Sequence, residues 1–135
     1  KLSLDFGGKI PTFKRKIIKN IIVDRKSKYT VVGGFVETKQ EIASFMKELR
    51  RDKYFQKSTH NTYSYRIKLE NGSILEGKND DGETGAGNCI LRELQREEAI
   101  NTIVVVTRYF GGIKLQSDRF KNVIDATKML LKEFN

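Results

Sequence analysis

The chain has 135 residues, of which 38% are hydrophobic and 32% charged, and this composition predicts one folded domain rather than a disordered chain. No membrane helix is predicted, since no apolar run approaches the roughly 20 residues that such a helix needs, and no membrane partner is expected. The formal net charge of +9 favours anionic partners such as RNA, the ribosome or an acidic protein surface, with a solvated lysine-rich surface as the alternative.

The beginning of the chain predicts an arm and two strands. Residues 1–13 are expected to form an N-terminal arm, and strands follow at residues 16–23 and 29–36. Polar residues 24–28 predict the turn between these strands. The pair Gly33-Gly34 interrupts the second strand, a pattern typical of a bulge or of a close approach by another segment.

A helix is predicted to begin after Thr38. Thr38 and Glu41 match the capping box, in which each side chain accepts a hydrogen bond from the other residue's backbone N–H. Apolar residues at i, i+3, i+4 and i+7 predict the face that packs on the core. These residues are Ile42, Phe45, Met46 and Leu49. Residues 54–61 are predicted to be a connection.

The second half of the chain predicts two further helices and the most apolar strand. Residues 62–70 alternate between apolar and polar side chains, which predicts a half-buried strand, and Asn71-Gly72 predicts a tight turn into a short returning strand. Helices are predicted at residues 87–98 and 118–134. Between them, the β-branched run at 102–107 predicts a strand at the centre of its sheet.

Strands that alternate with helices indicate an α/β two-layer sandwich, in which helices cover one face of a mixed sheet. The whole chain, residues 1–135, is expected to be a single domain. The single cysteine, Cys89, cannot form an internal disulfide, which fits a reducing compartment.

The segment DDGETGAG at residues 80–87 carries the sharpest local pattern. Its carboxylates on Asp80, Asp81 and Glu83 are hard oxygen ligands of the kind that Mg²⁺ prefers. The structural alternative is that these acids complement the dipole of the following helix while Gly82 and the later glycines shape the turn. Calcium-loop spacing and a Walker lysine are both absent, which disfavours an EF-hand or a nucleotide site.

The segment RYFGGIKL at residues 108–115 combines cations, aromatic rings and a glycine turn, which are the elements of a platform for single-stranded RNA. In the alternative, Tyr109 and Phe110 pack beneath the turn and Arg108 pairs with a carboxylate of DDGE. The cations and glycines of this region are Arg108, Gly111, Gly112, Lys114 and Arg119.

A basic cluster precedes these segments, with eight cations and one acid in residues 9–28. It is a candidate patch for nucleic acid or an acidic partner. The residues assigned to it are Lys14, Arg15, Lys16, Lys19, Arg25, Lys26 and Lys28. The single histidine, His60, and the single thiol are too few for a zinc site, and no nucleophile elbow accompanies them.

Five blocks of the chain resemble the IMPACT family, specifically the ancient C-terminal domain of its eukaryotic members. They are DRKSKY at 24–29, THNTYSYRI at 59–67, DDGETGAG at 80–87, VVVTRYFGGIKL at 104–115 and DRF at 118–120. The resemblance implies a fold similar to the second domain of ribosomal protein S-five and a cytoplasmic regulator of translation. The family has no agreed catalytic residues, and no cofactor is expected.

Full-length eukaryotic members of that family carry an N-terminal RWD domain. Through it they compete for the activator of the kinase that phosphorylates initiation factor 2α under amino-acid starvation. No RWD domain is present in these residues, so the fragment is expected to lack that main activator-binding surface. Contacts with ribosomes and actin are also implied for the family, on no particular residues. Gln116 stands where many members of the family have a glycine after the Lys-Leu pair. This difference puts in doubt whether the turn binds a ligand in this chain.

The expected function is a non-enzymatic regulator of translation in the amino-acid-starvation pathway, with this domain docking on protein or ribosomal partners. The candidate surface combines both turns and comprises Asp80, Asp81, Gly82, Glu83, Arg108, Tyr109, Gly111, Gly112, Lys114 and Arg119. Three alternatives stay open: a metal-dependent enzyme, an RNA-binding domain that uses these turns, and a purely structural role for both turns.

Overall fold

A computed structural model describes residues 8–134 of the chain. The strands are β1 (Arg15–Asp24), β2 (Ser27–Phe35), β3 (His60–Lys68), β4 (Ile74–Asn79) and β5 (Thr102–Tyr109). The helices are α1 (Lys39–Leu49), α2 (Lys53–Gln56), α3 (Ala86–Arg96) and α4 (Asp118–Leu131). The first residues of the expected N-terminal arm lie outside the described residues. Among residues 8–134, no helix combines the length and apolar character needed to cross a bilayer.

The strands form one sheet in the order β1-β2-β5-β3-β4, and each pair of neighbours is antiparallel. An isolated bridge between Lys9 and Ala99, outside these five strands, is parallel. The predicted central position of the β-branched strand is confirmed, because β5 lies third of five and is buried from Thr102 to Arg108. Arg108 is paired with Tyr29 on one side and with His60 on the other, so β2, β3 and β5 meet at one end of the sheet.

Helices α3 and α4 pack on one face of the sheet. Their apolar residues join those of β2 and β5 in one cluster, because alternate strand residues point to the same face. The cluster includes Tyr29, Val31, Val104, Val106, Ile90, Leu94, Val123 and Leu130. This arrangement confirms the predicted α/β sandwich.

The other face carries a second cluster, to which α1 and α2 contribute. It includes Val32, Ile103, Val105, Ile67, Ile42, Met46, Leu49 and Phe55. Helix α2 lies where the sequence predicts only a connection. The side chain of Asp52 begins it by accepting a hydrogen bond from the Tyr54 N–H at 2.8 Å, and Phe55 anchors it in the core.

The glycine pair of β2 marks a close approach rather than a bulge. A Cβ atom on Gly33 would lie within 3.0 Å of the Leu130 side chain, and one on Gly34 within 3.0 Å of the Phe45 ring. The irregularity lies instead in β1, between Ile18 and Ile22. The glycines therefore let α4 and α1 pack tightly against opposite faces of one strand.

The predicted N-cap of α1 is confirmed, although the capping box is shifted at one of its two bonds. The Glu41 N–H donates to Thr38 Oγ1 at 3.0 Å, as expected. The Glu41 carboxylate accepts from the backbone N–H of Glu37, not from that of Thr38. The effect is the same, since both bonds satisfy N–H groups at the start of the helix.

Candidate functional site

The first carboxylate of DDGE holds the start of helix α3. Asp80 accepts hydrogen bonds from the Gly85 N–H at 2.9 Å and the Gly87 N–H at 2.7 Å. Gly85, with φ at 94°, is the N-cap position and has no side chain that could accept these bonds. Asp80 therefore supplies both the acceptor and the negative charge that the positive end of the helix favours.

We expect Asp80→Ala to lower the free energy of unfolding by about 2 kcal/mol, because two helix N–H groups lose their acceptor. The midpoint of urea unfolding measures this loss. Asp125→Ala is the matched control, since among residues 8–134 its one side-chain bond is an exposed bond to Lys121 within α4. Its loss is expected to stay near or below about 0.5 kcal/mol. Equal shifts for the two variants would contradict the capping role.

The second carboxylate of DDGE connects this turn to β3. Asp81, at φ 49°, accepts a hydrogen bond from the Asn61 N–H at 2.8 Å. Its carbonyl oxygen lies 2.9 Å from His60 Nδ1, which can donate to it. Gly82 follows at φ 88°, where a residue without Cβ is favoured.

The three carboxylates point to different partners and do not converge on one point. Within the described part of the chain, no group of three or more His, Cys, Asp or Glu side chains is arranged to hold a metal ion. The geometry therefore does not favour the metal-dependent alternative for Asp80, Asp81 and Glu83.

The third carboxylate forms a buried ion pair with the end of β5. Arg108 Nη1 lies 3.0 and 3.1 Å from the two carboxylate oxygens of Glu83, and both residues are only 5% exposed. Arg108 Nη2 also donates to Ser27 Oγ at 3.3 Å. Two further basic groups, His60 Nε2 and Arg119 Nε, each lie 3.7 Å from Glu83 Oε2. Arg108 thus stabilises the end of the sheet from within the core. Because it is buried and paired with Glu83, it offers little charge to a partner.

The glycine turn after β5 lies directly on the β1–β2 hairpin turn. The Gly111 N–H donates to Ser27 Oγ at 3.2 Å, and the Phe110 N–H donates to Thr59 Oγ1 at 2.9 Å. A Cβ atom on Gly111 would overlap the backbone carbonyl group of Lys26, so only glycine permits this approach. Gly112, at φ 93°, then faces open space.

The two rings of RYFGG have opposite environments. Tyr109 packs at 5.0 Å from the Tyr54 ring and donates its hydroxyl to the Tyr54 carbonyl oxygen. Phe110 is 47% exposed, so the prediction that it packs beneath the turn is wrong. Its backbone bond to Thr59 and the crossing of Gly111 over the hairpin fill the space under the turn and leave the ring outside.

Exposed cations lie in the segments that meet at this turn. Lys26, Lys28 and Lys114 are exposed and form no ion pair with any residue between 8 and 134. Ile113, at 44% exposure, adds a second apolar side chain. We call Lys26, Phe110, Ile113 and Lys114 the sheet-end surface.

Arg25, in contrast, is bonded within the hairpin. It donates to Asp24 at 2.9 and 3.1 Å and to Asp118 at 2.5 Å. The hydrogen bond from Arg25, and next the bond from Asn122, lower the pKa of Asp24 to about 2. These bonds join the hairpin turn to the start of α4, so Arg25 acts as a structural link.

Strand alternation divides the basic cluster of residues 14–28 between both faces of the sheet. Arg15 lies 3.5 Å from Glu48 of α1, and Lys19 lies 4.3 Å from the Tyr54 ring centroid. Lys16 points the other way and pairs with Glu133 at 2.5 Å. Lys14 lines a separate groove beside α1. Of the basic cluster, Lys26 belongs to the sheet-end surface, and Lys28 lies next to it, opposite Tyr109 of β5.

Sequence reasoning missed two features of this region. Ser27 is fully buried and accepts from both Arg108 and Gly111, but a serine within a polar stretch carries no signal of burial. A second basic run at residues 47–57 was also not singled out, although its five cations are visible in the sequence.

The chain has clear relatives. A family model described as the Impact N-terminal domain matches residues 25–131. The IMPACT homolog of Dictyostelium discoideum is 38% identical over 114 residues, which cover 84% of this chain and 33% of that protein. The homolog of Schizosaccharomyces pombe is 36% identical over 102 residues, covering 76% of this chain and 36% of that protein. The chain thus spans about a third of the length of these curated relatives.

Two solved structures share the fold. A crystal structure of a hypothetical protein superposes with a TM-score of 0.80 at 22% identity, covering 93% of this chain and 60% of that chain. The two-domain translational regulator Yih1 superposes with a TM-score of 0.58 at 26% identity, covering 98% of this chain and 50% of that chain. The first of these supports the α/β sandwich independently of the contacts described above.

Proposed function

We propose a function for this chain from the premise that it belongs to the IMPACT family, as the matched residues and the identities with its relatives show. The chain acts as a non-enzymatic regulator of translation that docks on a protein partner or on the ribosome through its sheet-end surface. Support for the regulatory role comes from the similarity to Yih1, which is described as a translational regulator.

The exposure of Phe110 carries the docking part of the proposal. An exposed aromatic ring beside Ile113 and two lysines has the composition of an interface centre with a charged rim. The backbone beneath it is held by bonds to Ser27 and Thr59 and by the buried Arg108 pair. A loop fixed in this way loses little conformational freedom on binding, which favours affinity.

We further propose that this regulation belongs to the response to amino-acid starvation, upstream of phosphorylation of initiation factor 2α. The activator of the kinase, the ribosome and actin are the proposed partners, and the cytoplasm is the proposed location. The family resemblance supports these assignments. Much of the activator-binding surface is proposed to lie in an RWD domain outside these residues.

A platform for RNA at the same loop is the weaker candidate. Of the two rings in RYFGG, Tyr109 is packed against Tyr54, which leaves Phe110 to stack a base. Arg108, the arginine of this loop, is held in the buried pair with Glu83 and is not available to bind a phosphate. The geometry therefore favours a protein or ribosomal-protein contact here.

The proposal is tested by expressing the chain in starved eukaryotic cells. We expect the parent to co-sediment with its partner complex, and we expect a fusion of this chain to an RWD domain to lower phosphorylation of initiation factor 2α. Phe110→Ser combined with Lys114→Glu should weaken co-sedimentation about tenfold or more, since both changes fall at the interface centre.

The matched control is Met129→Ser combined with Lys132→Glu on α4. Met129 is 41% exposed, so this variant loses a similar apolar side chain and the same charge on a different surface. The control should behave like the parent. If the parent does not co-sediment with the complex and the fusion does not change phosphorylation, the regulatory role is wrong, whereas equal losses of co-sedimentation in both double variants would refute only the assigned surface.

A further inference from the structure

A basic groove lies on the sheet face that carries α1 and α2, away from the sheet-end surface. Its volume is about 550 Å³. It lies between the C-terminal end of α1, helix α2 and strand β3. The lining residues are Ala43, Met46, Lys47, Arg50, Arg51, Gln56 and Tyr63. Three of these seven are cations, and none is a carboxylate.

The three cations of the groove are not neutralised by this chain. Lys47, Arg50 and Arg51 are exposed, and none forms an ion pair within residues 8–134. Some other cations of the fold do have such partners, as in the pairs Lys16–Glu133 and Lys121–Asp125. The positive charge of the groove is therefore available to an external anion.

The helix dipole does not account for this concentration of charge. A cation in the last turn complements the negative end of a helix, and Lys47 occupies that place in α1. Arg50 is the C-cap residue and Arg51 follows it. The dipole effect falls off within the last turn, so it gives no reason for three adjacent cations around one concavity.

Cations also lie on the other side of α2. Lys19 of β1 lies 4.3 Å from the centroid of the Tyr54 ring, and Lys53 and Lys57 at the two ends of α2 are exposed. The groove therefore belongs to a wider basic area on the same face of the sheet. Such an area suits a long polyanion better than a single small anion.

We propose that this groove binds single-stranded RNA. Planar guanidinium groups of Arg50 and Arg51 match the geometry of phosphate oxygens. The half-buried ring of Tyr63 offers a face on which a base can stack, and the amide of Gln56 offers both a donor and an acceptor to a base edge. An acidic peptide would use the cations but would leave the ring and the amide without a role.

Fluorescence anisotropy with a labelled, unstructured RNA of about 12 nucleotides tests the proposal, a length within the site sizes of single-strand binders. The parent should bind at low salt, with a log–log salt slope that reflects its phosphate contacts. Arg50→Gln combined with Arg51→Gln should weaken binding about tenfold and reduce the slope by roughly 1.4, since each single-strand phosphate contact contributes about 0.7.

Lys128→Gln combined with Lys132→Gln is the matched control, because it removes two exposed cations from α4 on the opposite face. It should bind like the parent. Tyr63→Leu, which keeps an apolar side chain, should weaken RNA binding about fivefold or more through lost stacking.

Polyglutamate serves as the competing probe and should bind weakly and without dependence on Tyr63. The inference does not rest on the proposed regulatory role, since it uses none of the sheet-end residues. Absence of RNA binding by the parent, or equal losses in the arginine variant and its control, would overturn it. If the parent bound polyglutamate as tightly as RNA, and Tyr63→Leu bound each probe as tightly as the parent does, the inference would be overturned in favour of an acidic protein partner.

Discussion

Arg108→Ala is expected to lower the free energy of unfolding by about 3–5 kcal/mol, because it leaves a buried carboxylate without its main partner. Glu83 is 5% exposed and accepts from Arg108 Nη1 through both oxygens. The remaining basic groups, on His60 and Arg119, are 3.7 Å from Glu83 Oε2, beyond hydrogen-bond distance. For a domain of this size, the loss corresponds to a decrease in melting temperature of roughly 10–20 °C.

A double-mutant cycle separates the interaction energy of the Arg108–Glu83 pair from the packing contribution of each side chain. Arg108→Met combined with Glu83→Leu removes both charges, and it should cost less than the sum of the single changes. Lys121→Ala, which removes an exposed cation from an i,i+4 pair, is the control and should melt within about 2 °C of the parent. An Arg108→Ala variant that melts like the parent would show that the pair does not support the fold.

Gly111→Asn should cost about 3 kcal/mol, since a Cβ atom at this position overlaps the backbone of Lys26. A backbone group cannot turn aside as a side chain can, so the glycine turn must separate from the hairpin. We therefore expect the Ser27 hydrogen bond to break and the sheet-end surface to lose its shape. Guanidinium unfolding measures the cost, and partner binding measures the surface.

The neighbouring Gly112→Asn is the matched control for that change. Gly112 has φ at 93°, and a Cβ atom added there would meet no other atom within 4 Å. Asparagine is among the residues that tolerate positive φ best, so the cost should stay below about 1 kcal/mol. Equal costs at the two positions would contradict the view that the approach of Lys26 selects glycine at position 111.

Periodicity predicted most elements of this fold, because both helix and strand patterns depend on many residues at once. Helix α2 was missed since a single turn has no period to detect. The burial of Ser64 was missed as well, because the strand pattern of β3 placed a polar residue on an exposed face. Ser64 is covered by the start of α3 and donates to the Gly87 carbonyl oxygen at 2.6 Å. Contacts of that kind depend on the packing of distant segments.

The candidate site was predicted in part. Pairing of Arg108 with a DDGE carboxylate was one of two open alternatives, and the residue spacing could not decide between them. Arg15 and Lys16 were both predicted to belong to one basic patch, although neighbouring strand residues must point to opposite faces. Exposure of Phe110 depends on how the glycine turn meets the hairpin, which no local pattern contains.

The irregularity of β1 has a consequence for the behaviour of the protein at high concentration. β1 is an outermost strand of the sheet, so its free backbone groups could template pairing with another molecule. At the irregularity, Asn20 takes φ 52° and its N–H donates to the Thr30 hydroxyl at 3.1 Å. The distorted backbone and the lysines beside it oppose edge-to-edge aggregation. The charge on this strand thus serves solubility as much as recognition.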